Sequence, residues 1–243
     1  MQVAEGVHRL TAGVCNFYLV EQDGKLVLVD AGAPADWDLL VRTLPSLGRG
    51  LEDIDAVLIT HAHSDHTGFA ERARTSAHAP VWVHQDDADV AKGASPSKND
   101  GKASAYLLRA EFYRTAFSLL RRGAFRIVPI VEVSTFSHGE TIDVPGGPRA
   151  VHAPGHTPGS AALLFEGRRV LLTGDVLVTR NPYTGRLGPQ IMPSGLNQDT
   201  DLALASLSVL EGVPAELLLP GHGEPLFQDA TEAARLARAA GPS

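Results

Sequence analysis

Three histidines and one aspartate occupy positions 61, 63, 65 and 66, immediately after a run of apolar residues. The run, residues 56–59, is apolar throughout, as expected of a strand that is buried on both faces. Imidazole nitrogens and carboxylate oxygens are the usual protein ligands of zinc and similar divalent ions. A lone histidine is usually a satisfied polar residue, but this density favours metal binding. The chain is therefore expected to fold so that a buried strand ends at a metal site.

The spacing within this segment predicts two metal ions rather than one. His61 and His63 are two positions apart, so in an extended segment their side chains project to the same side. Asp65 and His66 lie at the turn into the following helix and can point toward a second ion. Four ligands in so short a span cannot easily all serve one ion.

Three further candidate ligands lie beyond other apolar runs. His156 and His222 each follow a Pro-Gly pair that fixes a tight turn, and Asp175 follows Thr-Gly at the end of a strand-like segment. Taken singly, a histidine after such a turn is as often exposed to solvent as functional. All three lie at strand ends, where sites in α/β folds gather, so together they support the first segment.

Short apolar runs alternate with helical spacing along the chain. A hairpin is predicted around 22–24, one helix over 67–78 and another over 229–240. Further strands are predicted over 81–83, 141–144, 150–152, 161–165, 170–172 and 217–219. Two strand-rich halves, each followed by helix, predict layers of helix and sheet. The 243 residues, 44% of them hydrophobic, suit a single domain over 1–243 with a packed core.

A helical insertion is predicted at about 87–130. Residues 93–101 form a polar stretch that is a loop by composition, and a helix follows it. One face of this helix carries Tyr106, Ala110, Tyr113, Phe117 and Leu120. Such a stripe is more often core packing than a substrate wall, so we expect it to be buried.

Charge and cysteine content restrict the partners and the compartment. The net charge is −7 and the basic residues form no run, so a nucleic-acid partner is not expected. Cys15 is the one cysteine, which excludes an intramolecular disulfide, and we expect it to be a small buried residue. No signal peptide is visible, and no apolar stretch approaches the roughly 20 residues needed to cross a bilayer. These features predict a cytoplasmic protein without a membrane partner.

The string His-x-His-x-Asp-His at 61–66, with His156, Asp175 and His222, resembles the metallo-β-lactamase-fold hydrolase superfamily. The similarity runs over nearly the whole chain, from the segment around Asp30 to the late Pro-Gly-His-Gly. It implies an αββα sandwich, in which two mixed β-sheets are flanked by helices. It also implies two divalent ions, with zinc expected and iron or manganese as alternatives. By this resemblance the first ion is held by His61, His63 and His156, the second by Asp65, His66 and His222, and Asp175 bridges them.

The resemblance further implies a hydrolase that uses a hydroxide bridging the two ions. Asp65 is then the expected catalytic residue, which would orient the nucleophile or transfer its proton. The segments around His156 and Asp175 are similar to those of glyoxalase II and related thioesterases. True β-lactamases typically carry Cys or Ser in place of Asp175. The expected partner is therefore a small-molecule substrate, namely a small ester, thioester or lactone.

Several assignments stay open on the sequence alone. A mononuclear-iron persulfide dioxygenase, a phosphodiesterase or nuclease of the same fold, and a non-enzymatic metal-holding or ligand-sensing module are the alternatives. Asp30 either orients a ligand histidine or forms a turn before Pro34. Acyl-homoserine lactonases carry a tyrosine where this chain has Val178, and Tyr183, on the loop 180–192, either approaches the site or lies at the surface. The other histidines are expected to be surface or structural residues: His8, His78, His84, His138 and His152. The exact substrate, the metal and the oligomeric state do not follow from the sequence.

Overall fold

Two β-sheets packed face to face form the centre of the molecule, as seen in a computed structural model that describes all residues 1–243. The strands of the first sheet are β1 (Gln2–Ala4), β2 (Val7–Ala12), β3 (Cys15–Gln22), β4 (Lys25–Val29), β5 (Ile54–Leu58), β6 (Val81–His84) and β7 (Ser134–Phe136). They lie side by side in chain order. Strands β1 to β4 pair antiparallel, whereas β4 to β7 pair parallel.

The second sheet is also mixed. Its strands are β8 (Arg149–His152), β9 (Ala161–Phe165), β10 (Val170–Gly174), β13 (Leu217–Pro220) and β14 (Leu226–Phe227), and a separate ribbon is formed by β11 (Val178–Arg180) and β12 (Leu187–Gln190). The spatial order is β14-β13-β10-β9-β8. Only the central pair, β10 and β13, is parallel.

Seven α-helices accompany the two sheets. They are α1 (Trp37–Thr43), α2 (Ser64–Thr67), α3 (Ala70–Ala77), α4 (Ala88–Ala91), α5 (Ala110–Arg122), α6 (Thr200–Ser206) and α7 (Ala230–Ala240). Residues of α1, α3 and α4 share one apolar core with the first sheet, and those of α6 and α7 share another with the second. A third core fills the space between the sheets. The αββα sandwich that the resemblance implied is therefore confirmed. None of the helices combines the length and the apolar character that crossing a membrane requires.

Burial on both faces explains why the central strands are apolar throughout. In β4, Leu28 packs toward the helices, whereas Val27 and Val29 pack between the sheets. In β10, Leu171 faces α6 and α7 while its neighbours face the first sheet. Because successive side chains of a strand point to opposite faces, each such strand stabilises two cores at once.

The carboxyl ends of the parallel strands meet at one edge of the sandwich. Asp30 follows β4 and His61 lies beyond β5, while Asp175 and His222 lie beyond β10 and β13 in the other sheet. Backbone hydrogen bonds join the two sheets at this edge, among them Asn16 N to Gly221 O and Ala161 N to Thr60 O, at 2.8 and 3.0 Å. The topology thus collects polar side chains from distant parts of the sequence, as the strand ends of α/β folds commonly do.

The helix expected over 67–78 is instead two helices, α2 and α3, with a break at Gly68 and Phe69. The backbone N–H groups of these two residues donate to Gly32 and Ala31, at 2.7 and 3.0 Å, rather than along a helix. A remote loop therefore ends α2. The strand expected over 141–144 was also wrong, because only a single bridge joins Thr141 to Arg149.

Replacing Gly68 with alanine should destabilise the protein by about 1–3 kcal/mol, the usual cost of overpacking. A Cβ at this position would lie 2.6 Å from backbone atoms of Ala33, which cannot move aside as a flexible side chain would. Gly167→Ala is the matched control, since nothing lies within 4 Å of its Cβ position. Urea unfolding of both variants measures the difference, and equal stabilities would contradict the close contact.

The aromatic stripe from Tyr106 to Leu120 was predicted to be buried, which holds for Tyr106 but was wrong for the part in α5. Tyr113, Phe117 and Leu120 are 54%, 59% and 62% exposed. The opposite side of the helix packs inward instead, where Thr115 donates to the carbonyl of Pro182 at 2.5 Å. The periodicity identified an amphipathic helix correctly but could not tell which face the fold covers.

Candidate metal centre

Three imidazoles meet where the ends of the two sheets approach each other. His61 and His63 follow β5, and His156 lies on the turn between β8 and β9. Nε2 of His156 lies 3.2 Å from Nε2 of His61 and 2.9 Å from Nδ1 of His63. These three residues, the first cluster, are the ones expected to hold the first ion.

Hydrogen bonds made by Nδ1 of His61 and of His156 fix the tautomers of both rings, so that neither Nε2 atom carries a hydrogen. Nδ1 of His156 donates to Oδ1 of Asn197, and Nδ1 of His61 donates to Oγ1 of Thr60, both at 3.1 Å. The hydroxyl of Thr60 is an acceptor here because it gives its own hydrogen to Asp30. A neutral imidazole has one N–H, so both Nε2 atoms present lone pairs. Two facing lone pairs repel each other, and a cation bound by both removes that repulsion.

Asp65, His66 and His222 form a second cluster, and Asp175 lies between the two clusters. The carboxylate of Asp175 approaches four imidazoles: it lies 3.2 Å from Nε2 of His222, 3.4 Å from Nε2 of His156, 3.7 Å from Nε2 of His66 and 3.8 Å from Nε2 of His61. Asp65 Oδ2 lies 3.8 Å from Nε2 of His222. The seven side chains proposed as ligands from the sequence therefore lie together, with Asp175 between the two clusters.

Two buried atoms at this centre have no hydrogen-bond partner in the protein, namely Nε2 of His66 and Oδ1 of Asp175. Nδ1 of His66 is held at 2.9 Å by Asp30, which turns Nε2 toward the centre. Because buried polar atoms are almost always satisfied, this pair indicates a bound group. Nitrogen and carboxylate donors suit zinc and similar divalent ions, so the residues fit divalent metal binding.

The histidines of the first cluster are kept neutral. Burial lowers the pKa of His156 to about 3, and the neighbouring His63 adds to this effect. Burial and the nearby imidazoles also hold the pKa of His61 well below its ordinary value. Neutral imidazole is the form that binds a metal ion, so this cluster needs no proton loss before binding.

The second cluster is charged in the absence of metal. Burial alone would lower the pKa of His66, but Asp175 and Asp30 outweigh it and raise the pKa to about 10. Asp175 likewise raises the pKa of His222 against the effect of burial. Although burial favours the neutral acid, His222 and His66 hold the pKa of Asp175 well below its usual range.

Metal uptake at pH 7 should therefore release at least one proton. His66, with a pKa of about 10, is protonated at this pH, and its Nε2 must lose its hydrogen before it can bind a cation. For each proton released, affinity should rise by about tenfold per pH unit until the pH reaches that pKa. Calorimetric titration with zinc in two buffers of different ionisation enthalpy counts the protons. Zinc binding without proton release would contradict the charge assigned to His66.

Asp30 orients a candidate ligand histidine, which is the first of the two roles expected for it, and does not form the turn before Pro34. Oδ2 accepts from Nδ1 of His66 at 2.9 Å, and Oδ1 accepts from the backbone N–H of Thr60 at 2.8 Å. The turn at Pro34 is held by a different residue, because Asp36 accepts from the N–H of Ala33 at 2.8 Å. Asp30 therefore orients candidate ligands of both clusters, directly and through Thr60.

Asp87 is a positioning residue that the sequence analysis missed. Its carboxylate accepts from Ala62 N at 2.8 Å, from Thr157 Oγ1 at 2.7 Å and from Gly159 N at 2.7 Å. These groups lie on the two loops that carry the first cluster, so one buried carboxylate holds both loops together. Asp87 lies just beyond the end of β6, and the strand-end rule applied to that strand would have found it.

Cys15 is buried, as expected, but it also belongs to the centre. Its Sγ donates to Oδ2 of Asp65 at 3.0 Å. Burial, with the carboxylate of Asp65 next, raises the pKa of this thiol well above its ordinary value. No local pattern marks the residue, since its partner lies fifty positions along the chain.

A cavity of about 350 Å³ opens onto both clusters. One wall is apolar and is formed by Pro96, Leu119, Phe125, Pro182, Met192 and Leu196. Tyr183 also lines the cavity, with its ring packed against Phe112 and Tyr106 at centroid distances of 4.9 and 5.1 Å. Burial and the nearby carboxylate of Asp65 raise the pKa of Tyr183 to about 12, so the phenol keeps its hydrogen at neutral pH.

The remaining histidines lie outside the two clusters. His84 and His152 stack with a ring distance of 3.8 Å, and with Asp86 they form a further group of potential donors. Nε2 of His152 is already engaged with the carbonyl of Pro158 at 2.8 Å. These residues therefore have a structural explanation.

The αββα sandwich and the buried histidine and aspartate clusters define a four-layer metal-binding fold with its site at the strand ends. The model of the Metallo-beta-lactamase superfamily matches residues 10–222, and the chain belongs to this superfamily.

Curated relatives support a metal-dependent hydrolase. The probable metallo-hydrolase YflN of Bacillus subtilis (strain 168) is 27% identical over 247 residues, which cover 93% of this chain and 86% of that protein. The probable metallo-hydrolase MJ0888 of Methanocaldococcus jannaschii is 24% identical, with coverages of 82% and 84%.

Solved structures share the fold. A metallo-β-lactamase family protein from Thermus thermophilus superposes with a TM-score of 0.70 at 24% identity, covering 98% of this chain and 80% of that one. BJP-1, a subclass B3 metallo-β-lactamase of Bradyrhizobium japonicum, gives 0.68 at 18% identity, with coverages of 99% and 90%. At these identities the similarity concerns the architecture alone.

Proposed function

We propose that the protein is a hydrolase that holds two divalent ions, zinc in the first instance, and cleaves a small ester, thioester or lactone. The observation that carries the proposal is the convergence of seven donor side chains, five of them buried and His63 and Asp65 half-buried, beside a cavity with an apolar wall. His61, His63 and His156 would hold one ion, Asp65, His66 and His222 the other, and Asp175 both.

A pair of ions held here would lower the pKa of bound water toward neutrality and polarise a carbonyl oxygen of the substrate. The protein's own residues supply orientation and proton handling. His66 and His222 outweigh burial and hold the pKa of Asp65 below its ordinary value, so Asp65 is a carboxylate that accepts a hydrogen bond or a proton. The protonated phenol of Tyr183 would donate a hydrogen bond to substrate oxygen in the cavity.

The cavity wall favours an uncharged acyl substrate. The ionisable side chains that line it are His63, Asp65, His156, Asp175, Tyr183 and His222, and the lining includes neither lysine nor arginine. Phosphodiesters are usually bound with such cationic side chains. Leu119, Phe125 and Leu196 instead offer apolar surface to the acyl or alkyl part of a substrate.

The test is a panel of p-nitrophenyl esters, S-acyl thioesters and lactones, with bis(p-nitrophenyl) phosphate as the competing substrate, after loading with zinc or manganese. Cleavage of a carboxylic substrate that is lost in His66→Ala supports the proposal. Cleavage of the phosphodiester alone would contradict it. Elemental analysis distinguishes this hydrolase from the alternative, a mononuclear-iron persulfide dioxygenase, because the dioxygenase requires one iron per chain and consumes oxygen.

Leu119→Ala should shorten the preferred acyl chain. Leu119 lines the cavity, whereas its neighbour Leu120 is 62% exposed and lies outside the cavity, so Leu120→Ala is a matched control. Losing apolar contact should lower kcat/KM by about tenfold for hexanoyl esters and change acetyl esters little. If Leu119→Ala and Leu120→Ala changed kcat/KM equally along the ester series, the acyl group would not bind against Leu119.

A further inference from the structure

The thiol of Cys15 lies among the donor atoms of the second cluster. Cys15 is the first residue of β3 and is 2% exposed. Its Sγ and one donor atom each of Asp65, His66 and His222 all lie within 4.8 Å of one another. In the same group, Nε2 of His66 is fully buried and has no hydrogen-bond partner.

The backbone around Cys15 is tied to the loop that carries His222. The carbonyl of Val14 accepts from Nδ1 of His222 at 2.7 Å, and the N–H of Asn16 donates to Gly221 O at 2.8 Å. The residues on both sides of the cysteine are therefore fixed to the candidate ligand His222 and to Gly221, which precedes it. The thiol is held at the centre by the fold rather than by its own rotamer alone.

We propose that the Cys15 thiolate is a further ligand of the ion held by Asp65, His66 and His222. The proposal rests on the proposed function for the presence of that ion. On binding, the hydrogen that Sγ now donates to Asp65 passes to solvent, and both the sulfur and the carboxylate are free to bind the cation. Thiolate is among the strongest zinc ligands in proteins.

This assignment gives the two ions different surroundings. The first cluster provides three nitrogen donors, the number typical of catalytic zinc sites that keep one position open. The second would provide sulfur, oxygen and two nitrogens, a set of four before Asp175 is counted. Sulfur donors favour zinc and cobalt over manganese or magnesium. The second ion would then be the more selective of the two.

The experiment is cobalt substitution, because Cys15 is the only cysteine in the chain. Cobalt(II) added to the metal-free protein should produce a near-ultraviolet sulfur-to-cobalt charge-transfer band by the second equivalent. Cys15→Ser should keep the visible cobalt bands and lose this one. X-ray absorption of the zinc protein should show a sulfur shell at about 2.3 Å that the variant lacks. Zinc affinity at this site should fall by at least about tenfold in the variant, with manganese affinity changed less.

Two equivalents of bound cobalt without the charge-transfer band would overturn the proposal and leave the proposed function intact. No bound cobalt at all would overturn both. Cys15→Ala and thermal unfolding of each metal-free variant control for folding. If Cys15→Ser and Cys15→Ala both unfold, the presence or absence of the charge-transfer band and of the zinc–sulfur shell in the wild-type protein still tests the proposal, because no other thiol is present.

Discussion

Asp175→Asn should abolish most of the hydrolytic activity and reduce the bound metal to one ion or none. The carboxylate of Asp175 lies within 4 Å of imidazoles from both clusters. Asparagine keeps the shape but removes the negative charge that the two cations would share. Removing a preorganised electrostatic group typically costs about 10²–10³-fold in rate, and loss of an ion adds to this. Steady-state kinetics with metal analysis of the dialysed protein measure both effects.

An independent readout separates this effect from misfolding. Because Asp175 raises the pKa of His66 to about 10, the variant without metal should show a lower His66 pKa by nuclear magnetic resonance. Asp143→Asn is the control, since Asp143 is exposed and lies outside the cavity. An Asp175→Asn protein that keeps two ions and its full rate would exclude a shared carboxylate.

Removing the metal should lower the melting temperature strongly. Without cations, the lone pairs of His61 and His156 face each other, and Nε2 of His66 and Oδ1 of Asp175 stay buried without a hydrogen-bond partner. A ligand present at a thousand times its Kd stabilises the native state by about 4 kcal/mol, and a chain of this length shifts by roughly 2–4 °C per kcal/mol. We therefore expect a loss of about 8–16 °C for each saturated ion, measured by thermal unfolding with and without chelator.

Restoring zinc should recover the lost stability, and the recovery should increase with zinc concentration as mass action requires. Asp175→Asn should show a smaller difference between the two conditions. Identical melting curves for chelated and zinc-loaded wild type would mean that the clusters do not bind metal in the folded protein.

The sequence pointed to the side chains that the fold brings together at the candidate metal centre, because their signals are local. Four of these side chains lie within six positions of the sequence: His61, His63, Asp65 and His66. Apolar runs around them indicate buried strands whose ends lie at one edge of the sandwich. His156, Asp175 and His222 carry the same strand-end signal at three other places. The layered α/β class follows from the same alternation, since strands that feed two cores must be apolar on both faces.

Features that depend on contacts between distant segments did not follow from the sequence. Gly68 ends α2 because loop residues some thirty-six positions earlier take its hydrogen bond. The apolar stripe of α5 is exposed because another loop packs against the opposite side of the helix. A periodic pattern describes one helix or strand, and it contains no information about which other segment packs against it.

By itself, the sequence determined which side chains are suited to metal binding and that strands would present them. Only the tertiary structure decided that Asp87 and Asn197 would position these side chains, that Cys15 would join the second cluster and that the lone pairs would face each other. The physical reason is that hydrogen bonding and charge act over a few ångströms in space. The groups concerned are brought within that range only when the two sheets stack.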